Sequence, residues 1–289
     1  MNLRVFLTYY RLFPDRKLNV LRSFGMLNHE DYAFCFKHRD KINSMILDSG
    51  TWTLNNAKGD IKDKITLQNY INYAKTVRPY YDRIANFDAT FTDDGFESNY
   101  YNQLILEKAG LDPFPVVHDI YGQEIDHYIS KGYDLVSLGS SQITSVDTLA
   151  YVMERFEGTG IKIHLFGNAK FEFLANFPIH SCDTAMWART GGYGWINYWN
   201  PKKEGADKTD SIYMEEYLDE GKIKKITFPN YEFREDLEKF LLETLNVTYL
   251  DLMGPHAAYC KMLVNTCYYA QLEDIVNQIH RQKGFDTMR

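Results

Sequence analysis

The chain has 289 residues, 45% of them apolar and 25% charged, which is enough to bury a substantial core and excludes a disordered tail or a coiled coil. Its net charge of −7 excludes a generally basic nucleic-acid coat, so any nucleic-acid contact needs a local basic patch. The four cysteines form no CxxC or CxC pair, no long apolar run spans a bilayer, and Met1–Arg4 opens no signal-peptide pattern, so a cytoplasmic location without membrane contact follows by default.

Taken in order, Arg4–Tyr10 predicts a first strand and Leu18–Leu27 a helix, with Leu18, Leu21 and Met26 near one face. Ser44–Gly50 is a buried-type strand closing on Asp48-Ser49-Gly50. Leu67–Tyr80 has helical spacing and stops around Pro79. Arg83–Thr90 is a short apolar strand closing on Asp88, and a helix follows over Ser98–Ala109. Phe114–Asp119 predicts a strand, Gln123–Lys131 a helix, and Asp134–Ser141 a strand running into small residues. Ser145 is placed to cap a helix to Phe156. Ile161–Gly167 is a strand, Lys170–Phe177 a helix, and Ile179–Asp183 the seventh strand.

Strands alternating with helices of this length predict βαβ units and a parallel sheet. With no glycine-rich dinucleotide fingerprint, the pattern favours an α/β fold of the (β/α)8 TIM-like barrel type over a doubly wound sheet. An eighth strand is expected in Gly194–Trp199 or Ile223–Phe228, and 1–289 is expected to form one domain. Its last part, 200–289, would carry the final barrel elements and extra helices over Arg234–Leu245 and His256–Lys283.

The active site of a barrel lies at the C-terminal ends of its strands. Those ends carry Asp48, Ser49, Asp88, His118, Gly139, Ser140, Gly167 and Asp183. A carboxylate inside a mostly apolar run is rare unless paired or used, and crowded carboxylates drive their pKa values apart, so that one can stay ionised while another holds a proton. Glycines such as Gly139 and Gly167 would let a flat base approach the backbone. Each element has a plain alternative: Asp183 as a turn cap, His118 as a structural histidine, Ser140 as a helix cap. Their shared strand-end placement favours a site.

The ordered set resembles the tRNA-guanine transglycosylase superfamily. Ile46-Leu47-Asp48-Ser49-Gly50 is similar to that family's strand ending in Asp-Ser-Gly, and Asn86-Phe87-Asp88 to its Phe-Asp-Glu strand. Val116-Val117-His118 falls where the family has Val-Gln-Gly, and Tyr133–Ser140 where it has Gly-Tyr-x-Ile-Gly-Gly-Leu. His164-Leu165-Phe166-Gly167 resembles its Tyr-Leu-Met-Gly. Cys182–Gly191 tracks Phe-Asp-Cys-Val-Leu-Pro-Thr-Arg-x-Gly without a gap, sharing the Asp, the Arg and the Gly.

The resemblance implies that Asp183 is the nucleophile on the ribose C1′ and Asp48 a general base or proton shuttle. Asp88 would hold the guanine edge with Ser49, His118 and the Gly139-Ser140 backbone, and Gly167 would line the same pocket. Arg189 would contact a phosphate or orient Asp183. The family's structural zinc site is not recognisable, because Cys260, Cys267 and His256 do not reproduce it, and no cofactor is expected.

The short, acidic chain is similar to the smaller relatives of phage and bacterial DNA-modification systems. DNA is therefore favoured slightly over tRNA as the polymer, with guanine or a 7-deazaguanine as the small partner, in the cytoplasm of a bacterium or a phage-infected cell. A homodimer or a helper protein is compatible with this assignment. Phosphate contacts would fall to Lys202, Lys203 and Lys208, and to Lys222, Lys224 and Lys225. Tyr193, Trp195, Tyr198 and Trp199 are candidates to stack on unpaired bases. Two other functions stay open: a non-catalytic nucleic-acid-binding subunit of the same fold, and another carboxylate-dependent barrel hydrolase.

Overall fold

A computed structural model of the chain describes residues 2–26, 34–56, 65–92, 94–214 and 226–285. The chain divides into two compact units, one made of Arg16–Asp183 and the other of Asn2–Asp15 with Thr184–Phe285.

The first unit is α/β. Its strands are β1 (Leu18–Ser23), β2 (Ile42–Asp48), β3 (Arg83–Ile84), β4 (Val116–Val117), β5 (Leu135–Leu138), β6 (Lys162–Leu165) and β7 (Ser181–Cys182). All pair in parallel: β1-β2-β3 form one sheet and β4-β5-β6-β7 another. A parallel bridge between Ala85 and Phe114 carries the same pairing from β3 to β4. Strand order in space therefore follows strand order in the chain from β1 to β7, without the reversal that marks a doubly wound sheet.

Every residue of β5 is buried, as are Met45, Leu47, Ile84, Val117, Ile163 and Leu165. Continuous apolar runs of this kind belong to parallel strands covered on both faces. Ser145 caps Val146–Phe156 through the Thr148 N–H, as its sequence position predicts, and Thr66 caps the helix Leu67–Val77 through the Asn69 N–H. Phe96–Lys108, Glu124–Lys131 and Phe171–Asn176 supply the remaining predicted crossovers.

Two predicted elements are exchanged. Arg4–Tyr10 lies in a helix, Leu3–Leu12, and not in a strand. Asn2 accepts from the N–H groups of Arg4 and Val5, and Val5, Phe6 and Tyr9 form one buried face, so the cap and the tertiary contact override the β-type composition. Leu18–Ser23 is strand β1 and not a helix. Its buried residues are Leu18, Val20 and Arg22, an alternation hidden because one member is charged.

In the second unit β8 (Trp195–Trp199) pairs antiparallel with β9 (Thr209–Tyr213), so Gly194–Trp199 forms a hairpin rather than an eighth parallel strand. Of the other candidate for that strand, 223–225 lie outside the described residues, while Thr227 bridges Tyr213 in parallel. The helices Arg234–Leu245 and Ala257–Lys283 form as expected, and the latter packs on Leu3–Leu12, on Met186–Gly192 and on β8. Among the described residues no helix is long and apolar enough to cross a membrane.

Candidate active site

Val117, Leu138, Leu165 and Cys182 form one registered row across β4 to β7. His118, Gly139, Phe166 and Asp183 each stand one residue beyond it, at the C-terminal ends of their strands. Asp48 is the last residue of β2 and Asp88 follows β3, so the predicted carboxylates belong to the same edge of the first unit. Burial, and then the negative charges of Asp183 and Asp88, push the Asp48 carboxyl up to about 6, against hydrogen bonds from Ser23 and the Gly50 N–H. The three acids therefore share one electrostatic environment.

Asp183 is half-buried, with 21% of its side chain exposed. Its Oδ1 accepts the Gly167 N–H at 2.8 Å and lies 3.5 Å from Nε2 of His164. Gly167 adopts φ +64°, a left-handed conformation that suits glycine, and a Cβ there would meet open space. His164 itself is fully buried, and its Nδ1 is 2.9 Å from the Ser181 hydroxyl.

Asp88 is buried with both oxygens engaged. Oδ1 accepts the Asn86 side-chain amide at 2.8 Å, and Oδ2 is 3.2 Å from Nε2 of His118. For His118, burial favours the neutral ring, but the Asp88 hydrogen bond and the charges of Asp88 and Glu124 outweigh it and raise the pKa. Glu124, also buried, accepts the His118 backbone N–H at 2.6 Å, and burial raises its own carboxyl.

The loop carrying Asp88 is pinned from the helix Phe96–Lys108. Asn99 Oδ1 accepts the N–H groups of Ala89 and Thr90, its amide donates to the Thr90 carbonyl, and Asn102 donates to the Phe87 carbonyl. Asn99→Ala removes the partner of two donors and an acceptor on a loop that water can reach, so we expect a loss of about 1–2 kcal/mol, read from urea unfolding.

Gly139 is packed closely by its neighbours. A Cβ there would lie 2.8 Å from Val116 Cγ1 and 3.2 Å from His118 Cε1, so the missing side chain makes room for Val116 and the imidazole. Gly139→Ala is expected to displace Val116 and His118, costing about 1–3 kcal/mol in urea unfolding. Ser49 is buried against the Thr51 hydroxyl, and Ser140 closes a turn onto Gln142.

The remaining predicted residues lie in the second unit. Arg189 is exposed on Met186–Gly192. Lys202 pairs with Asp236 at 2.8 Å, Lys203 with Asp210 at 3.1 Å and with the Thr209 carbonyl, and Lys208 donates to the Pro201 carbonyl. Lys203 and Lys208 bind groups of their own loop and hairpin, and Lys202 makes an exposed pair with the helix Arg234–Leu245. Lys222, Lys224 and Lys225 lie outside the described residues. Of the aromatic group Tyr193 is exposed, whereas Tyr198 is buried against Phe240 and Trp195 packs on Tyr213.

The sequence features do not single out His164, Glu124 or Asn99 as site residues. His164 does carry a signal, a titratable ring inside the apolar run Ile163-His164-Leu165, the same kind of anomaly that marks Asp183. Among the described residues no group of three His, Cys, Asp or Glu side chains is arranged to hold a metal ion. No family model, curated protein or solved structure matches the chain.

Proposed function

We propose that the first unit is a base-exchanging glycosyltransferase that replaces a guanine in nucleic acid with a 7-deazaguanine. The observation that carries this reading is the pairing of two unlike carboxylates: Asp183, held by one oxygen on the Gly167 N–H, and Asp48, whose carboxyl is pushed up to about 6. A retaining glycosyl transfer needs these two parts, a nucleophile below the sugar and an acid/base group at the departing base.

In the first half-reaction an oxygen of ionised Asp183 bonds to the ribose C1′ as the C1′–N9 bond breaks. The bonding pair leaves on the purine, which takes a proton from protonated Asp48. In the second, Asp48 removes the N9 proton of the incoming base, whose nitrogen pair attacks C1′ and expels the Asp183 carboxylate. Two displacements restore the configuration at C1′. Asp88, His118 and Glu124 form the wall against which the base edge is read, and the target nucleotide has to leave its stack to reach them.

The sequential order β1 to β7 supports a (β/α)8 barrel as the frame for this chemistry. Arg189, exposed, and Lys202, whose surface pair with Asp236 is weak enough to exchange, are our candidates for phosphate contact. The setting we propose is cytoplasmic, with DNA preferred slightly over tRNA. The test is incubation with labelled guanine and either duplex DNA or tRNA. Label entering one polymer supports the proposal and names the substrate. Label in neither, or release of free base without incorporation, overturns it, the second outcome indicating a hydrolase.

A further inference from the structure

We infer that His164 is a positioning residue that selects which oxygen of Asp183 attacks; this rests on the glycosyl-transfer reading above. The two residues face each other from neighbouring strands, β6 and the end of β7, with Nε2 3.5 Å from Oδ1. That distance exceeds a full hydrogen bond, as is common for catalytic contacts in unliganded sites. An ionised carboxylate only accepts, so the ring nitrogen facing it carries the proton. Nδ1 is then an acceptor, and the Ser181 hydroxyl, 2.9 Å away, donates to it.

Ser181 thereby fixes the tautomer, and the tautomer presents an N–H to Oδ1. The Gly167 N–H already bonds Oδ1, and the His164 N–H faces that same oxygen from 3.5 Å, so closing this gap on substrate binding gives Oδ1 two donors and leaves Oδ2 with neither of them. Oδ2 becomes the attacking atom, and Oδ1 becomes the carbonyl oxygen of the glycosyl ester. The two donors stay on Oδ1 through both half-reactions and stabilise the carboxylate when it leaves again. His164 is fully buried among Phe114 and Phe166, so its ring has little freedom to turn away.

Two measurements on the full chain test this. In nitrogen-detected NMR of the ¹⁵N-histidine-labelled protein at neutral pH, His164 should show an acceptor-type Nδ1 and a protonated Nε2. The opposite tautomer overturns the inference, whatever the reaction proves to be. In the exchange assay His164→Leu should lower kcat about 10²-fold with KM for the polymer nearly unchanged, and His164→Gln, which restores an N–H donor, should recover at least about tenfold. A kcat within about threefold of the parent, or a loss carried by KM, overturns it. Should His164→Leu fail to fold, Ser181→Ala, which removes only the tautomer-fixing hydroxyl, should shift the NMR signature towards a tautomer mixture, and an unchanged signature overturns the inference. A parent protein that exchanges no base while showing the expected tautomer would fail the functional proposal and leave the positioning geometry standing.

Discussion

Asp183→Ala is expected to reduce exchange of labelled guanine by at least about 10⁴-fold, because in the proposed reaction it removes the atom that bonds to C1′. The variant should still fold. Asp183 sits just beyond a strand end, partly exposed, and the single backbone donor it leaves behind, the Gly167 N–H, lies beside open space where water replaces the lost acceptor. Denaturing electrophoresis after incubation with the polymer substrate gives a second readout, a protein–nucleic acid adduct in the parent that is absent from the variant. Full exchange by Asp183→Ala would remove the nucleophile from the proposal.

Asp48→Asn should have two effects of opposite sign. It should lower exchange by about 10²- to 10⁴-fold through loss of the proton carrier, and it should stabilise the fold at neutral pH. Burial and the neighbouring charges of Asp183 and Asp88 hold the Asp48 carboxyl near 6, above its value in the unfolded chain, so the folded state binds this proton more tightly. The corresponding stability is present below about pH 4 and is lost as pH rises through 6. At pH 7.5 the parent carries an ionised acid at a cost of up to about 2–3 kcal/mol. The hydrogen bonds from Ser23 and Gly50, which favour the ionised form, reduce what Asn can recover to about 1–2 kcal/mol. The urea midpoint of the variant should therefore exceed that of the parent at pH 7.5, and the difference should vanish near pH 4. In single-turnover assays of the parent, release of guanine should fall above pH 6, and uptake of the incoming base should rise through it.

Much of the first unit is legible along the chain because its parallel strands are short apolar runs punctuated by acids. Asp48, Asp88, His118 and Asp183 stand out as polar endings to those runs, and the structure puts them at the C-terminal ends of β2, β3, β4 and β7. The residues that hold them in place are less visible. Glu124 matters through the backbone N–H of His118, and Asn99 through Ala89 and Thr90, contacts six to ten residues away that no local pattern encodes. Leu18–Ser23 conceals its period of two because Arg22 occupies a buried position, with its guanidinium over the Phe34 ring. Leu3–Leu12 looks like a strand by composition and becomes a helix through the Asn2 cap and its packing on Ala257–Lys283. Lysines 202, 203 and 208 suggest a basic patch, but charge alone does not reveal that each already has a partner.

Because each strand from β1 to β7 pairs with the one made just before it, the edge of the sheet can be laid down during synthesis in the order in which the ribosome delivers it. Asp48 emerges first, then Asp88, His118 and Gly139. On the glycosyl-transfer reading proposed above, a nascent chain halted before residue 183 would have the base-reading wall and the proton carrier but not the nucleophile. On that reading, the part that bonds to the sugar arrives with the last strand of the series.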